Sequence, residues 1–516
     1  MPAKYDTILV LDFGGQYCHL IGRRIREHGV YSEIVPHDIS PEEILALNQK
    51  FNIKGIILSG GPSSVYEPNA PKLHPRILEV NLPILGLCYG HQLLAQITKG
   101  KVEPATCKEY GIAQVTIDKP ISILEGLSDK EKVWMSHGDT VKAPPPGFEA
   151  LAHTSSCPVA AFRHKTKPIY GLQWHPEVIH TEKGMRILQN FIFQVCKAQA
   201  NWQMEDLIEK MIKELRTETQ GARAIIGLSG GIDSSVATAI AAQALGDKLT
   251  AVFVDHGLMR EGEPEAIRET FQKYPINFII ANAQERFLQK LKGITEPENK
   301  RKIIGEEFIR VFEEIANESG AEYLIQGTIY PDRIESGFRK NSDKIKSHHN
   351  VAGLPEKIKF KKILEPLRDL YKDEVRKVAI MLELPKEIVN RQPFPGPGLA
   401  VRIIGELTEE KIKIAKIADK IVREEIEQTE LAETLWQYFA VVTDTKATGV
   451  KGDARAYGYV VAVRAMESRE AMTASFAKIP YPILEKISTR ITNEIPQVVR
   501  VVYDVTHKPP ATIEWE

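Results

Sequence analysis

Cys88 stands between Gly86 and Gly90 in the stretch PILGLCYGHQLLAQI, residues 83 to 97. A thiol needs a base before it acts as a nucleophile, and the base needs a group that orients it. His175 and Glu177, in YGLQWHPEV, offer that pair: the carboxylate would hold the ring and stabilise its charged form. Gly60 and Gly61, in GIILSGGPSSV, leave backbone N–H groups free to hold an oxyanion. Together these groups suit acyl transfer through a thioester. A second set is SGGIDSS, residues 229 to 235. A Gly-rich loop that opens a helix attracts anions, because its N–H groups and the helix dipole both favour negative charge. No lysine follows the glycines, so this is not the G-x-x-x-x-G-K-[ST] loop. Asp233 inside the loop could hold Mg²⁺, a hard cation that takes carboxylate and phosphate oxygens. Asp255 ends the run LTAVFVD, where a ribose or adenine contact is expected.

Strands and helices must place these groups. LPILGL reads as a short buried strand and HQLLAQI as a helix, so Cys88 falls at a strand-to-helix turn. That is the G-x-C-x-G form of the nucleophile elbow. Glycines flank the turn because a side chain there would clash or forbid strained dihedrals. The alternation across residues 170 to 178 predicts a strand, with His175 and Glu177 on one face. RAIIGL predicts a strand, VATAIAAQALG a helix and LTAVFVD a second strand, which is βαβ spacing. Taken singly, Cys88 also fits a small buried hydrophobe, the HPE stretch a surface turn, and SGGIDSS an ordinary Gly/Ser turn.

A chain of 516 residues is too long for one ordinary domain. Its net charge of −1 lacks the basic footprint of a nucleic-acid binder. Five cysteines, scattered and odd in number, argue against a disulfide framework and for a reduced, cytoplasmic protein. The N-terminus shows no secretory signal pattern, and no uninterrupted apolar run is long enough to span a membrane. Seams at residues 195–208 and at the Pro/Gly-rich 390–403 suggest boundaries near 200 and 392.

The first two hundred residues resemble the class I, triad-type glutamine amidotransferases, through G-x-C-x-G-H-Q, H-P-E and the S-G-G-P loop. The resemblance implies glutamine hydrolysis at Cys88, His175 and Glu177, with Gly61 and Tyr89 holding the oxyanion. It also places Gln92, Ser136, His137 and Asp139 near the substrate. S-G-G-x-D-S-S resembles the N-type ATP pyrophosphatases, which implies ATP bound by Ser229, Gly230, Gly231, Ile232, Asp233, Ser234, Ser235 and Asp255. PENKRKIIGEEF, IQGTIYPDRIESG, IKSHHNVAGLPE and EPLRDLYKDEVR are similar to the GMP synthetase family, and this likeness runs end to end. It implies XMP, ATP and glutamine as substrates and Mg²⁺ at Asp233. Lys346, His348 and His349 would lie in a lid over phosphate. Arg301, Gln437, Arg500, Lys508, Ile513 and Glu514 would contact XMP. The implied fold is α/β: two doubly wound parallel-sheet domains, 1–200 and 201–392, and a smaller α+β C-terminal dimerisation domain, 393–516, giving a homodimer. In that family the last residues fold back over the nucleotide, whereas a proline-rich terminus by itself reads as frayed. The six final residues are expected to contribute little core. Other readings are a different adenylating amidotransferase, such as an NAD synthetase, or a catalytically silent regulatory scaffold. An intact Cys88 and ATP loop disfavour the scaffold.

Overall fold

The computed structural model describes residues 4–338, 360–468 and 473–516. The lid stretch with Lys346, His348 and His349 lies outside the described residues. Two compact units are present, Met1–Leu207 and Ile208–Glu516.

In the first unit the strands are β1 (Asp6–Asp12), β2 (Tyr31–Pro36), β3 (Asn52–Leu58), β4 (Ile84–Leu87), β5 (Lys101–Ile117), β6 (Lys130–Ala143), β7 (Phe148–His153), β8 (Ala161–His164) and β9 (Ile169–Leu172). They form one sheet in the order β2-β1-β3-β4-β9-β8-β7-β5-β6. The part from β2 to β9 is parallel, and the part beyond β9 is antiparallel. Parallel strands covered on both faces need apolar residues at every position. Accordingly Ile8, Leu9, Val10 and Leu11 of β1 and Ile56, Ile57 and Leu58 of β3 are wholly buried. β4 lies between β3 and β9, so the turn after it opens at the centre of the sheet's carboxyl edge.

In the second unit β10 (Ala224–Gly227), β11 (Leu249–Asp255), β12 (Asn277–Asn282), β13 (Tyr323–Ile325) and β14 (Lys362–Leu364) form an all-parallel sheet ordered β12-β11-β10-β13-β14. Strand order reverses between β10 and β13. Ligands of open α/β sheets bind beyond the carboxyl ends of the strands at such a reversal. A second sheet holds β15 (Gln437–Lys451), β16 (Ala454–Glu467), β17 (Ser475–Phe476) and β18 (Val498–Tyr503). β15 and β16 pair antiparallel, and β18 returns parallel to β16 after the helix Tyr481–Glu494. One apolar core joins the two sheets: Ile225, Val252 and Val254 belong to the same cluster as Leu399, Ile421, Val442, Val461 and Val463.

Lys451 is the last residue of β15. Its Nζ donates to Thr492 O at 2.8 Å and Pro496 O at 3.1 Å, capping the carbonyl end of the helix Tyr481–Glu494. Among the described residues no helix is long and apolar enough to cross a membrane.

Candidate active sites and family

β4 ends at Leu87, and Cys88 turns the chain into the helix Tyr89–Ile97 with φ 52 and ψ −104. A positive φ on a non-glycine residue is strained backbone, and the surroundings must hold it. Cys88 N–H donates to Leu172 O at 2.8 Å, which ties the elbow to β9. Gly90 packs so closely on β3 that a Cβ would lie 2.6 Å from Leu58 Cβ. The glycine spacing is therefore a packing requirement of the elbow.

His175 and Glu177 come together, but not on a strand. β9 stops at Leu172, and both residues lie in the turn that follows. The strand predicted over 170–178 is corrected here: pairing with β8 ends with Gln173 N–H on Ala160 O, and His175 N–H turns aside to Trp134 O at 3.1 Å. Thr181 Oγ1 donates to His175 O at 2.6 Å and closes the turn. His175 Nδ1 meets Glu177 Oε1 at 2.7 Å, with both side chains buried. Burial pulls the imidazole pKa down. The Glu177 carboxylate and the Cys88 sulfur outweigh it and hold His175 well above its usual value. His175 is thus poised to carry a proton taken from sulfur.

Gly61 lies against Phe13 O and the Tyr89 ring. Tyr89 is the first residue of its helix, so its N–H has no intrahelical acceptor. Cys88 Sγ contacts Ser136 O at 3.4 Å. Gln92 Nε2 donates to Asp139 O at 2.9 Å and to Gln173 Oε1 at 3.2 Å. His137 is fixed between Asp139 O at 2.8 Å and Glu109 Oε2 at 2.9 Å. Burial pushes neighbouring His91 down to about 3, so it is a neutral packing group on Phe162 and not a second base. Gln173, Thr181 and Glu109 escaped the sequence reading because only the turn and the antiparallel pairing bring them here.

In the second unit the helix Ile232–Leu245 begins inside the SGGIDSS loop, with Gly231 as its N-cap. The loop folds on itself. Ser234 Oγ lies 3.0 Å from both Ser229 Oγ and Gly231 O. Asp233 Oδ2 pairs with Lys372 Nζ at 2.5 Å, while Asp233 Oδ1 and Ser235 Oγ are buried without hydrogen-bond partners among the described residues. Gly327, two residues beyond β13, packs on the loop: a Cβ there would meet Asp233 O at 3.1 Å. Asp255 is one strand away from the strand-order reversal. Gln284 Nε2 occupies its Oδ2 at 2.6 Å and Gly257 N–H its Oδ1 at 3.0 Å.

The tail is docked. Arg402, fully buried, forks onto Glu514 with Nε–Oε2 and Nη2–Oε1 both 3.0 Å. Gln437 Nε2 donates to Glu514 Oε1 at 2.8 Å and to Pro393 O at 2.9 Å. Buried Arg464 donates to Ile513 O at 2.8 Å and Thr512 O at 2.7 Å. Lys300 pairs with Glu516, and Arg301 donates to the Glu516 carbonyl. Ile513, Glu514, Gln437 and Arg301 are therefore gathered by one tail. Lys508 bridges Ala474 at the start of the tail. Arg500 is exposed on β18, and its guanidinium has no partner among the described residues.

A cysteine elbow with a buried His–Glu pair, and beside it on the chain a Gly-rich loop at the reversal of a parallel sheet, define a glutamine amidotransferase joined to an ATP-cleaving PP-loop protein. Residues 9–195 match the family described as glutamine amidotransferase class-I, residues 203–384 the PP-loop domain, and residues 424–515 the GMP synthase C terminal domain. The chain is 53% identical over 518 residues to the GMP synthase [glutamine-hydrolyzing] of Caldanaerobacter subterraneus subsp. tengcongensis, covering 100% of both chains. Identity is also 53% over 513 residues to the protein of that name from Geobacillus kaustophilus, covering 99% of both. The chain belongs to the glutamine-hydrolysing GMP synthase family.

Proposed function

We propose that the chain aminates XMP to GMP at the expense of ATP and glutamine, through an adenylated XMP. The observation that carries the reading is the presence, in one chain, of a cysteine elbow with its His175–Glu177 pair and an ATP loop followed by the GMP synthase C-terminal domain. Residues 1–200 are assigned to the amidotransferase, 201–392 to adenylation, and 393–516 to XMP binding and dimerisation.

Cys88 sulfur attacks the glutamine side-chain carbonyl while His175 takes its proton. The N–H groups of Gly61 and Tyr89 stabilise the oxyanion. Collapse to the thioester releases ammonia, the proton returning through His175, and water then regenerates the thiol. Gln92, Ser136, His137 and Asp139 position the glutamine. At the second site the loop N–H groups from Ser229 to Ser235 face the phosphates. Xanthine O2 attacks the α-phosphorus, pyrophosphate leaves, and ammonia displaces AMP from C2. A bound Mg²⁺ would supply positive charge to offset that on the pyrophosphate oxygens. Asp233 would hold it, and the orphaned, buried Oδ1 fits that need. Lys346, His348 and His349 are assigned to phosphate stabilisation from the lid, and Asp255 to shaping the nucleotide pocket through Gln284 and Gly257.

Glu514 and Ile513 are assigned to the purine, with Lys508 and Arg500 supplying charge for the nucleotide phosphate and Arg301 and Gln437 supporting them. The homodimer is assigned to the C-terminal region. There an apolar groove of about 370 Å³, lined by Val463, Tyr481, Leu484, Val501 and Val502, suits a second copy of the chain. Tyr481 at its rim is 86% exposed. A cytoplasmic location completes the reading, in line with the free thiols Cys18, Cys88, Cys157 and Cys196. The test is one assay: GMP formed from XMP, ATP and glutamine, with deamido-NAD as control acceptor. Amination of deamido-NAD in place of XMP would refute it.

A further inference from the structure

The Pro/Gly-rich stretch at 390–403 reads in sequence as a seam between domains, yet its side chains reach two different sites. We propose that the segment from Arg391 to Arg402 is a strut that holds the ATP loop and the tail carboxylate in one frame. Arg391 positions the loop, Arg402 positions Glu514, and Phe394 joins the two. The proposal rests on the reading that Glu514 meets the purine.

At one end Arg391 Nη1 donates to Gly230 O of the ATP loop, and its Nη2 pairs with Glu263. Gly230 has φ +75, and a Cβ there would come within 2.5 Å of Arg391 Nη1. The guanidinium therefore fills the space beside the one loop residue whose backbone requires glycine. At the other end Arg402 is wholly buried, gripping Glu514 through two parallel bonds and Asp419 Oδ1 through Nη1 at 3.0 Å. Phe439 lies 4.1 Å from its guanidinium carbon. A fork with both prongs used fixes the plane of the carboxylate, which a point charge on a flexible stem does not do. Gln437 Nε2 ties the same carboxylate to Pro393 O of the segment.

Between the ends, Phe394 has the guanidiniums of Arg260, Arg402 and Arg391 at 4.5, 5.1 and 5.7 Å from its ring centre. Prolines at 393, 395 and 397 fix backbone φ, so the segment resists bending. It is also pinned to its surroundings. Leu399 N–H donates to Leu258 O at 2.8 Å, Ile404 N–H to Val442 O at 2.9 Å, and Lys300 Nζ to Ile403 O at 2.8 Å. A displacement of the loop at Gly230 thus meets a stiff element whose far end carries Glu514. Nucleotide binding at one site is felt at the other as a shift in affinity.

The experiment uses the full-length protein with ammonium as nitrogen source, so the glutaminase plays no part. Steady-state KM values for XMP and ATP, and kcat, are measured for Arg402→Lys, Arg391→Lys, Phe394→Leu and Glu514→Gln. Arg402→Lys should raise KM for XMP at least tenfold and leave KM for ATP within twofold. Arg391→Lys should do the reverse. In the parent, KM for XMP should fall as ATP rises, and Phe394→Leu should remove most of that dependence. Glu514→Gln separates the two ideas. If it leaves KM for XMP unchanged, the purine reading fails. If it raises KM while Arg402→Lys does not, the strut fails. A parent with no ATP dependence of KM for XMP, or lysine variants that only lose kcat and melting temperature, would also overturn the strut.

Discussion

In the first unit His175 already meets Glu177 at 2.7 Å, and Cys88 is already held at its positive φ. In the second, Asp233 is paired with Lys372, and its other oxygen and the Ser235 hydroxyl are buried without hydrogen-bond partners among the described residues. Arg260 likewise keeps Nε and Nη2 without hydrogen bonds among the described residues, with Asp419 3.5 Å away. Burial pushes the Arg260 pKa down to about 10 although Asp419 opposes it. Buried polar groups without partners are costly and rare in finished structures. Glu177 Oε2 and Gln173 Nε2 in the first unit are also buried without hydrogen bonds among the described residues, so the contrast lies in the reacting groups: the His175–Glu177 pair is already made in the protein alone, whereas Asp233 is held by Lys372 with one oxygen left for a ligand. The difference follows from the chemistry. A thiol and its base can be preorganised by packing, but a phosphate cradle that fully satisfied itself would have nothing left to offer ATP.

The largest effects should come from the preassembled site. Loss of a positioned base costs on the order of 10²–10⁴ in rate, so His175→Ala should nearly silence glutamine hydrolysis. Glu177→Gln should cost less, because it removes the orienter and not the proton carrier. It should also move the pH profile. With Glu177 present, the imidazolium persists above its ordinary value of 6.5; its stabilising effect is full below 6.5 and fades as pH rises through the raised folded value. Without the carboxylate burial dominates, and the alkaline limb of glutaminase activity should shift to lower pH. Glutaminase rates measured across pH for both variants check this. A more damaged glutamate variant would reverse the roles.

Next comes the open site. Asp233→Asn should lower synthesis from glutamine and from ammonium alike, on the order of 10²–10³, as loss of a charge-stabilising group does. It should leave the first-unit thiol as reactive toward an alkylating glutamine analogue as in the parent. Unaltered Mg²⁺ dependence of the variant would remove the metal role.

Removing residues 511–516 has a consequence that the sequence expectation missed. The tail contributes little apolar core, but its departure takes Glu514 from buried Arg402, two carbonyl partners from buried Arg464 and the carboxylate of Glu516 from Lys300, while Arg402 keeps Asp419 and Arg464 keeps Asp504. Leaving a buried charge unpaired costs about 3–5 kcal/mol, and Lys300 is the cation whose ion-pair partner is removed. The truncated protein should therefore melt markedly lower as well as lose its grip on XMP, and denaturant unfolding would show it. The smallest effect is Lys451→Met. A cation at a helix C-terminus is worth about 0.3–1 kcal/mol, so the melting temperature should drop slightly, with KM for XMP unchanged.

The elbow was legible because its requirement is local: glycines two residues on either side of Cys88 announce a crowded turn. The ATP loop was legible for the same reason, its glycines and serines lying between a strand and a helix. His175 and Glu177 were recognised as a pair, but the alternation that suggested a strand came from residues of a turn. Trp134, far away in sequence, and Thr181, beyond the turn, decide that geometry. Arg402 and Glu514 lie 112 residues apart, and nothing local marks either as the other's partner. A terminus with Pro-Pro in it looks frayed until three buried cations are seen to need it. Asp255 marked the end of the right kind of strand, but the sheet order places the reversal between β10 and β13, beside Gly327.

The central claim is that two separate chemistries share one chain, and Cys88→Ala tests it most directly. GMP formation from XMP and ATP is measured for this variant with glutamine and, at high pH, with ammonium as nitrogen source. The account predicts no product with glutamine and a rate within about twofold of the parent with ammonium, since the sulfur is needed only for acyl transfer. Loss of the ammonium-dependent reaction as well would contradict it.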